Sequence, residues 1–229
     1  MGLDGGYVRN RHPRPERHFE VIAGRARGPD GESRGFDFVR DRGWLCADYV
    51  REAVAGAGCD LSRMTILTDG DPGLRGMLPT LAAQSDHVRD WFHVAMRFRV
   101  LEQTAKGLVD EPPGVKAWVI KSLDRAKWHL WHGHVSRSLE LLEDVQGWTH
   151  AKREAAPLVI GNLRCRLGDL PRWVAVNRDS IPFYPRRYRY GFRITTAPTE
   201  SAVNQIVSRR MVKKQQCGGA ERERIACSR

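Results

Sequence analysis

The chain has 229 residues, enough to bury a substantial core as one large domain or two small ones. Hydrophobic residues at 41% and charged residues at 28% exclude a disordered or collagen-like chain, and no apolar run approaches the roughly 20 residues that span a bilayer. Five scattered cysteines with no C-x-x-C pair argue against a disulfide framework or a zinc ribbon, while 38 Lys and Arg against 27 Asp and Glu leave a net charge of +11. No signal peptide and no membrane contact are expected, and a reducing, cytoplasmic setting fits.

The first forty residues read as three strands, over 2–8, 19–26 and 35–39, separated by Pro/Arg-rich and Gly/Asp-rich turns that suit an antiparallel meander. Residues 44–57 predict a helix closed by Gly56 and Gly58. M-T-I-L-T at 64–68 is a short continuous apolar strand suited to a sheet interior, ending in the turn D-G-D-P-G. A helix over 74–83 and a fifth strand over 87–91 follow. From 92 to 170 the pattern is helical, with breaks expected at Pro112-Pro113, Gly147 and Gly168, and with Trp131, Val135, Leu139 and Leu142 forming one helix stripe. After Pro171, Pro182 and Pro185 forbid a long regular element. A last helix is expected from about Thr196–Thr199 to Gln216, capped by threonine, with Val203, Val207 and Met211 on its apolar face.

Charge is concentrated late in the chain. Residues 172–214 carry ten basic side chains, including Arg186, Arg187, Arg189, Arg193, Arg209, Arg210, Lys213 and Lys214, opposed only by Asp179 and Glu200. Phe183, Tyr184, Tyr188, Tyr190 and Phe192 are interleaved with them. Cations neutralise phosphates and flat rings stack on bases, so this window is a candidate nucleic-acid surface, against the plainer reading of a solvated basic face.

Three strands, helix, strand, helix, strand and a late helix is the order of a ribonuclease H-like fold, an α/β mixed five-stranded sheet flanked by helices. Here an α-helical insertion precedes the last catalytic helix. The predicted organisation is a first part of the catalytic core at 1–91, the insertion at 92–170, the basic segment and closing helix at 171–216, and a polar tail at 217–229. In such a sheet the first strand is central and the fourth lies beside it, so Asp4 and Asp69 meet although 65 residues apart. Glu200 precedes Val203 and Val207 by three and seven residues and so shares the buried face of the last helix. Converging carboxylates repel one another, and two divalent metal ions about 4 Å apart relieve the repulsion and activate phosphoryl chemistry. Mg²⁺, or Mn²⁺ in its place, is the hard, oxygen-loving cation that fits.

Five strings are more specific than the pattern. L-D-G-G-Y-V-R (3–9), I-L-T-D-G-D-P-G-L-R (66–75), D-W-F-H-V-A-M-R (90–97), L-W-H-G (130–133), and R-Y-R-Y-G followed by T-A-P-T-E-S-A-V-N-Q-I-V-S-R-R-M-V-K-K-Q-Q (196–216) together resemble insertion-sequence transposases of the ISKra type, over nearly the whole chain. The resemblance implies an acidic-triad (DDE) transposase that cleaves DNA and transfers strands at element ends with Mg²⁺. Its partners are double-stranded insertion-sequence ends and target DNA in the nucleoid, and it acts as a homo-oligomer when active. It implies Asp4, Asp69 and Glu200 as catalytic, metal-holding triad, with Asp71 the alternative second acid, and it draws attention to Asp90 and His93, whose spacing suits an orienting or phosphate-contacting pair. Two departures stand out. No DNA-binding segment precedes the first strand, and after K-K-Q-Q the chain turns to the polar C-G-G-A-E-R-E-R-I-A-C-S-R. A truncated or frameshifted copy is therefore expected. The alternatives are an inactive DNA-binding remnant and a structure-specific metal-dependent nuclease.

Other constellations carry less. His129, His132 and His134 lack a Cys or acidic partner at zinc-ligand spacing, no cysteine sits in an activating context, and D-G-G-Y is not a phosphate-binding glycine motif.

Overall fold

Runs with β-forming residues at 2–9 and 18–27 set the first antiparallel pair. A computed structural model describes residues 1–9, 18–28, 31–39, 45–60, 64–70, 76, 85–152 and 158–197, and in it β1 (Gly2–Arg9) pairs antiparallel with β2 (His18–Arg27) along its whole length. β3 (Ser33–Val39) pairs antiparallel with β2. β4 (Thr65–Thr68) and β5 (Asp86–Arg89) complete a five-stranded mixed sheet of order β3-β2-β1-β4-β5, with β4 parallel to β1 and β5 parallel to β4. The expected strands are all present, within two residues of their predicted starts and ends.

Period two divides the sheet into two faces. One carries Leu3, Ile22, Phe36, Phe38 and Ile66, which pack with Ala47, Val50, Ala53 and Val54 of helix α1 (Leu45–Ala55) in a single apolar cluster. Burying each such aliphatic side chain contributes about 1.5–3 kcal/mol. α1 ends where expected: Gly58 takes φ +65°, and the Cys59 amide reaches back to the Val54 carbonyl, a glycine-closed helix terminus. Gly24 faces the same cluster, with the Phe36 ring lying where a Cβ would go. The opposite face is buried as well, at Val21, Ala23, Leu67 and Val88. The helix expected over 74–83 lies outside the described residues apart from Gly76.

Contacts along the chain divide it into two compact units, Met1–Asp90 with Thr195–Arg229, and Trp91–Ile194. The second is helical. Helices α2 (Trp91–Lys106), α3 (Val115–Trp131), α4 (Val135–Ala151), α5 (Leu158–Leu167) and α6 (Leu170–Val176) precede a 3-10 turn at Arg178–Ser180 and the short helix α7 (Tyr184–Arg189). The unit therefore takes in residues 171–194, and the prolines there do keep its elements short. Val94, Phe98, Leu101 and Ala105 form the inner stripe of α2, and Val119, Leu123, Ala126 and Leu130 that of α3. Asp110 accepts the amides of Gly114 and Lys116 at 3.0 and 2.9 Å, and these hydrogen bonds lower its pKa from 3.8.

Two expectations for this unit are corrected. Gly147 does not break a helix: it sits on the exposed side of α4, where a single glycine costs only about 1 kcal/mol and the buried stripe continues past it. The expected stripe Trp131, Val135, Leu139 and Leu142 is not one helix face either. Trp131 closes α3, Gly133 turns the chain at φ +69°, and Val135 opens α4, whose buried face is Val135, Ser138, Leu142, Val145 and Thr149. Gly133 is required there twice over, since the backbone of Pro182 and Phe183 passes 3.3–3.4 Å from where its Cβ would lie. Trp131 instead stacks on the fully buried Tyr184 at 5.7 Å and meets Trp91 edge-on at 4.7 Å. The expected break at Gly168 stands between α5 and α6.

Candidate active site

The parallel ladder between β1 and β4 sets Gly2 opposite Leu67 and Leu3 opposite Thr68. One step further in that register would set Asp4 opposite Asp69, which follows the last residue of β4. Adjacent strands are about 4.8 Å apart, and residues opposite one another in a parallel pair share a face, so two carboxylates remote in sequence would share one edge of the sheet. β5 continues the parallel ladder. Thr68 lies opposite Arg89, the Asp90 amide bonds to the Thr68 carbonyl at 2.9 Å, and the following step would set Asp69 beside Asp90. In the other direction Asp4 pairs with Ala23, and Ala23 with Asp37. Asp37 and Asp4 thus lie in one cross-strand row on the face turned away from α1, and Asp69 and Asp90 directly follow the last paired residues of β4 and β5.

Their surroundings differ. Asp37 and Asp90 are buried, whereas Asp4 and Asp69 are partly open to solvent. Asp4 Oδ1 accepts the Gly5 amide at 2.9 Å, which orients its carboxylate. Gly6, two residues on and on the same face, has open space where a side chain would be. Two carboxylates at about 5 Å repel by at most about 3 kcal/mol at an effective dielectric near 20, less with solvent screening. Such a pair is an oxygen-donor set for a hard divalent cation. Among the described residues, no group of three or more His, Cys, Asp or Glu is arranged to hold a metal ion.

Behind the row, on the α1 side of β4, Thr68 Oγ1 accepts from Arg89 Nη1 at 2.7 Å and lies 2.9 Å from His87 Nε2. Arg89 is almost wholly buried. This network fixes the last residue of β4, and with it the strand end from which Asp69 projects. Asp90 has a different task. Its Oδ2 accepts both the amide of Thr196, at 3.0 Å, and the Thr196 hydroxyl.

Of the predicted triad, Asp4 lies in β1 and Asp69 directly follows β4, the strand paired with it; Glu200 lies outside the described residues, as does the alternative Asp71. Asp90 closes the sheet and His93 falls in the first turn of α2, its ring edge-on to Phe92. Among the predicted DNA-contacting residues, Arg186, Arg189 and Arg193 are exposed and Arg187 is half-buried, while Arg209, Arg210, Lys213 and Lys214 lie outside the described residues. His129, His132 and His134 gather at the α3–α4 turn with ring centroids 5.8–6.2 Å apart for the two pairs involving His134, alongside Trp128. Sequence reasoning missed Asp37. Its signal was the alternation F-D-F, an acid between two phenylalanines that both turn to the core.

No helix among the described residues is long and apolar enough to cross a membrane. No protein-family model, no curated protein and no solved structure matches the chain.

Proposed function

We propose that the chain is a metal-dependent DNA-cleaving and strand-transferring enzyme of the acidic-triad transposase kind, built on a ribonuclease H-like sheet. The observation that carries the reading is the register between β1 and β4, Leu3 opposite Thr68, which one step further would set Asp4 beside Asp69. The sheet order β3-β2-β1-β4-β5, antiparallel among the first three strands and parallel among β1, β4 and β5, is compatible with that fold.

Asp4 and Asp69 would hold the cation, and the third donor would be Glu200. Glu200 follows Thr196 by four positions, a reach of at most about 14 Å, and Thr196 is tied to Asp90 at the end of β5. When bound, Mg²⁺ neutralises the carboxylates and the scissile phosphate and lowers the pKa of an attacking water or 3′-hydroxyl. The chain's own part is to hold the carboxylates fixed: the Gly5 amide orients Asp4, and the Thr68–Arg89 bond stiffens the strand end at Asp69. The basic side chains of α7 and beyond would neutralise the DNA backbone, and ends and target would be bound by more than one copy.

The test is nicking of supercoiled plasmid in Mg²⁺ or Mn²⁺ by the full chain, beside Asp4→Asn and Asp69→Asn. Nicking lost in both variants, with DNA binding retained, supports the reading. Salt-sensitive binding without nicking in any of the three identifies a DNA-binding remnant instead. Cutting that requires a branched substrate identifies a structure-specific nuclease.

A further inference from the structure

The helical unit carries a surface feature that phosphate neutralisation does not account for. Between Arg186 and Arg193 the sequence alternates cation and ring, R-R-Y-R-Y-G-F-R, and Tyr188, Tyr190 and Phe192 stand 68%, 69% and 59% exposed. Large rings left in water at the end of a helix and in the turn after it contribute little to a fold and commonly mark a binding surface. Here their backbone is held in place. The amides of Tyr190, Gly191 and Phe192 bond to the carbonyls of Arg186, Tyr188 and Arg187 at 3.1, 3.1 and 2.9 Å, and Gly191 takes φ +71° to make the turn. Beneath this turn the fully buried Tyr184 anchors α7 against Trp91 and Trp131. The rings also carry cations: the Arg186 guanidinium lies 5.9 Å from the Tyr190 ring centre and that of Arg187 5.5 Å from Phe192. The Tyr190 and Phe192 rings thus each have an arginine over one face, and all three rings stand mostly in water.

We propose that Tyr188, Tyr190 and Phe192 form a stacking platform for unpaired DNA bases. A duplex presents phosphates and groove edges, for which arginines alone suffice. A ring face is matched only by a base whose own face is uncovered, and the adjacent guanidiniums supply the charge for its phosphates. No acidic side chain lies between Asp179 and Glu200 to oppose a strand laid there. The platform rests on the transposase reading only in taking the strand to be DNA: it would receive bases splayed from the duplex where a strand is opened for cutting.

The experiment is titration of the full chain, in EDTA so that cleavage plays no part, into fluorescein-labelled dT20 and into a 20-base-pair duplex. Tyr188→Ala, Tyr190→Ala and Phe192→Ala should each weaken dT20 binding roughly 5- to 100-fold while changing duplex binding less than about twofold. Tyr190→Phe should restore dT20 binding and Tyr190→Leu should not, which separates stacking from mere bulk. Arg189→Ala should weaken both ligands and flatten the salt dependence of each. Equal losses on dT20 and duplex, no loss on either, or rescue by leucine would overturn the platform. Because no divalent ion is present, a failure to nick DNA leaves this result standing, and the reverse also holds.

Discussion

Asp90 and Thr196 are 106 residues apart, yet one carboxylate oxygen of Asp90 accepts both the backbone amide and the hydroxyl of Thr196 in a buried setting. The bond fastens the chain, as it returns from the helical unit, to the end of β5. Within that helical unit the neighbouring pair repeats the fastening, with the Trp91 amide bonded to the Ile194 carbonyl at 2.8 Å. The segment that leads to Glu200 therefore starts from a fixed point at the end of β5.

Asp90→Ala should cost about 2–4 kcal/mol of stability, since it strands two buried donors that had a charged acceptor. Thr196→Val removes one of the two donors and should cost less. Urea unfolding of both single variants and the double should give a coupling energy above about 1 kcal/mol. A coupling near zero would mean that the returning chain is held by something else.

The proposed cation site at Asp4 and Asp69 makes a prediction about ions. Adding Mg²⁺ or Mn²⁺ should raise the parent melting temperature, by the usual linkage of ligand to native state, and should leave Asp4→Asn and Asp69→Asn unmoved. A calorimetric scan in EDTA and in 10-fold steps of MgCl₂ checks both halves. A parent chain indifferent to Mg²⁺ and Mn²⁺ would remove the metal from the account of this site.

How much of this was legible in the sequence follows from the range of each interaction. The strands of the sheet and α1 were readable because their signals are local: alternation in β1 to β3, an apolar run at β4, glycines closing α1. That Asp4 and Asp69 should be neighbours is an expectation only a fold hypothesis supplies, because nothing within either strand encodes a register with a partner 65 residues away. Asp37 was missed as a member of the row for the same reason. The helical unit misled at Gly147 and at the Trp131 stripe because a 3.6-residue period runs unbroken through a turn as short as His132–Gly133, and because an exposed glycine leaves the periodicity of its neighbours intact.

Glycine makes two predictions of opposite sign. At Gly147 a Cβ meets nothing within 4 Å and the residue is an exposed interior position of α4, so Gly147→Ala should stabilise the chain by about 0.5–1 kcal/mol. At Gly24 a Cβ would lie 2.3 Å from the Phe36 ring and 2.8 Å from Leu3, so Gly24→Ala should destabilise it by about 1–3 kcal/mol through overpacking. Thermal melts of the two variants check the signs. Shortening the ring in Gly24→Ala/Phe36→Leu should recover part of the second loss.

The α3–α4 turn makes the chain's stability depend on pH. Burial, and then the charges of His134, Arg125, Arg137 and His132, lower the pKa of His129 from 6.5, and its buried Nδ1 has no hydrogen-bond partner. A histidine with a depressed native pKa takes up a proton more readily in the unfolded chain. Its contribution to stability is therefore fully present above about pH 6.5 and is lost as the pH falls through the native pKa. Between pH 7.5 and 5 the parent chain should lose more stability to urea than His129→Phe, which keeps a flat ring in the same place and cannot titrate. Parallel losses in the two chains over that interval would show that the native fold leaves the protonation of His129 as it is in the unfolded chain.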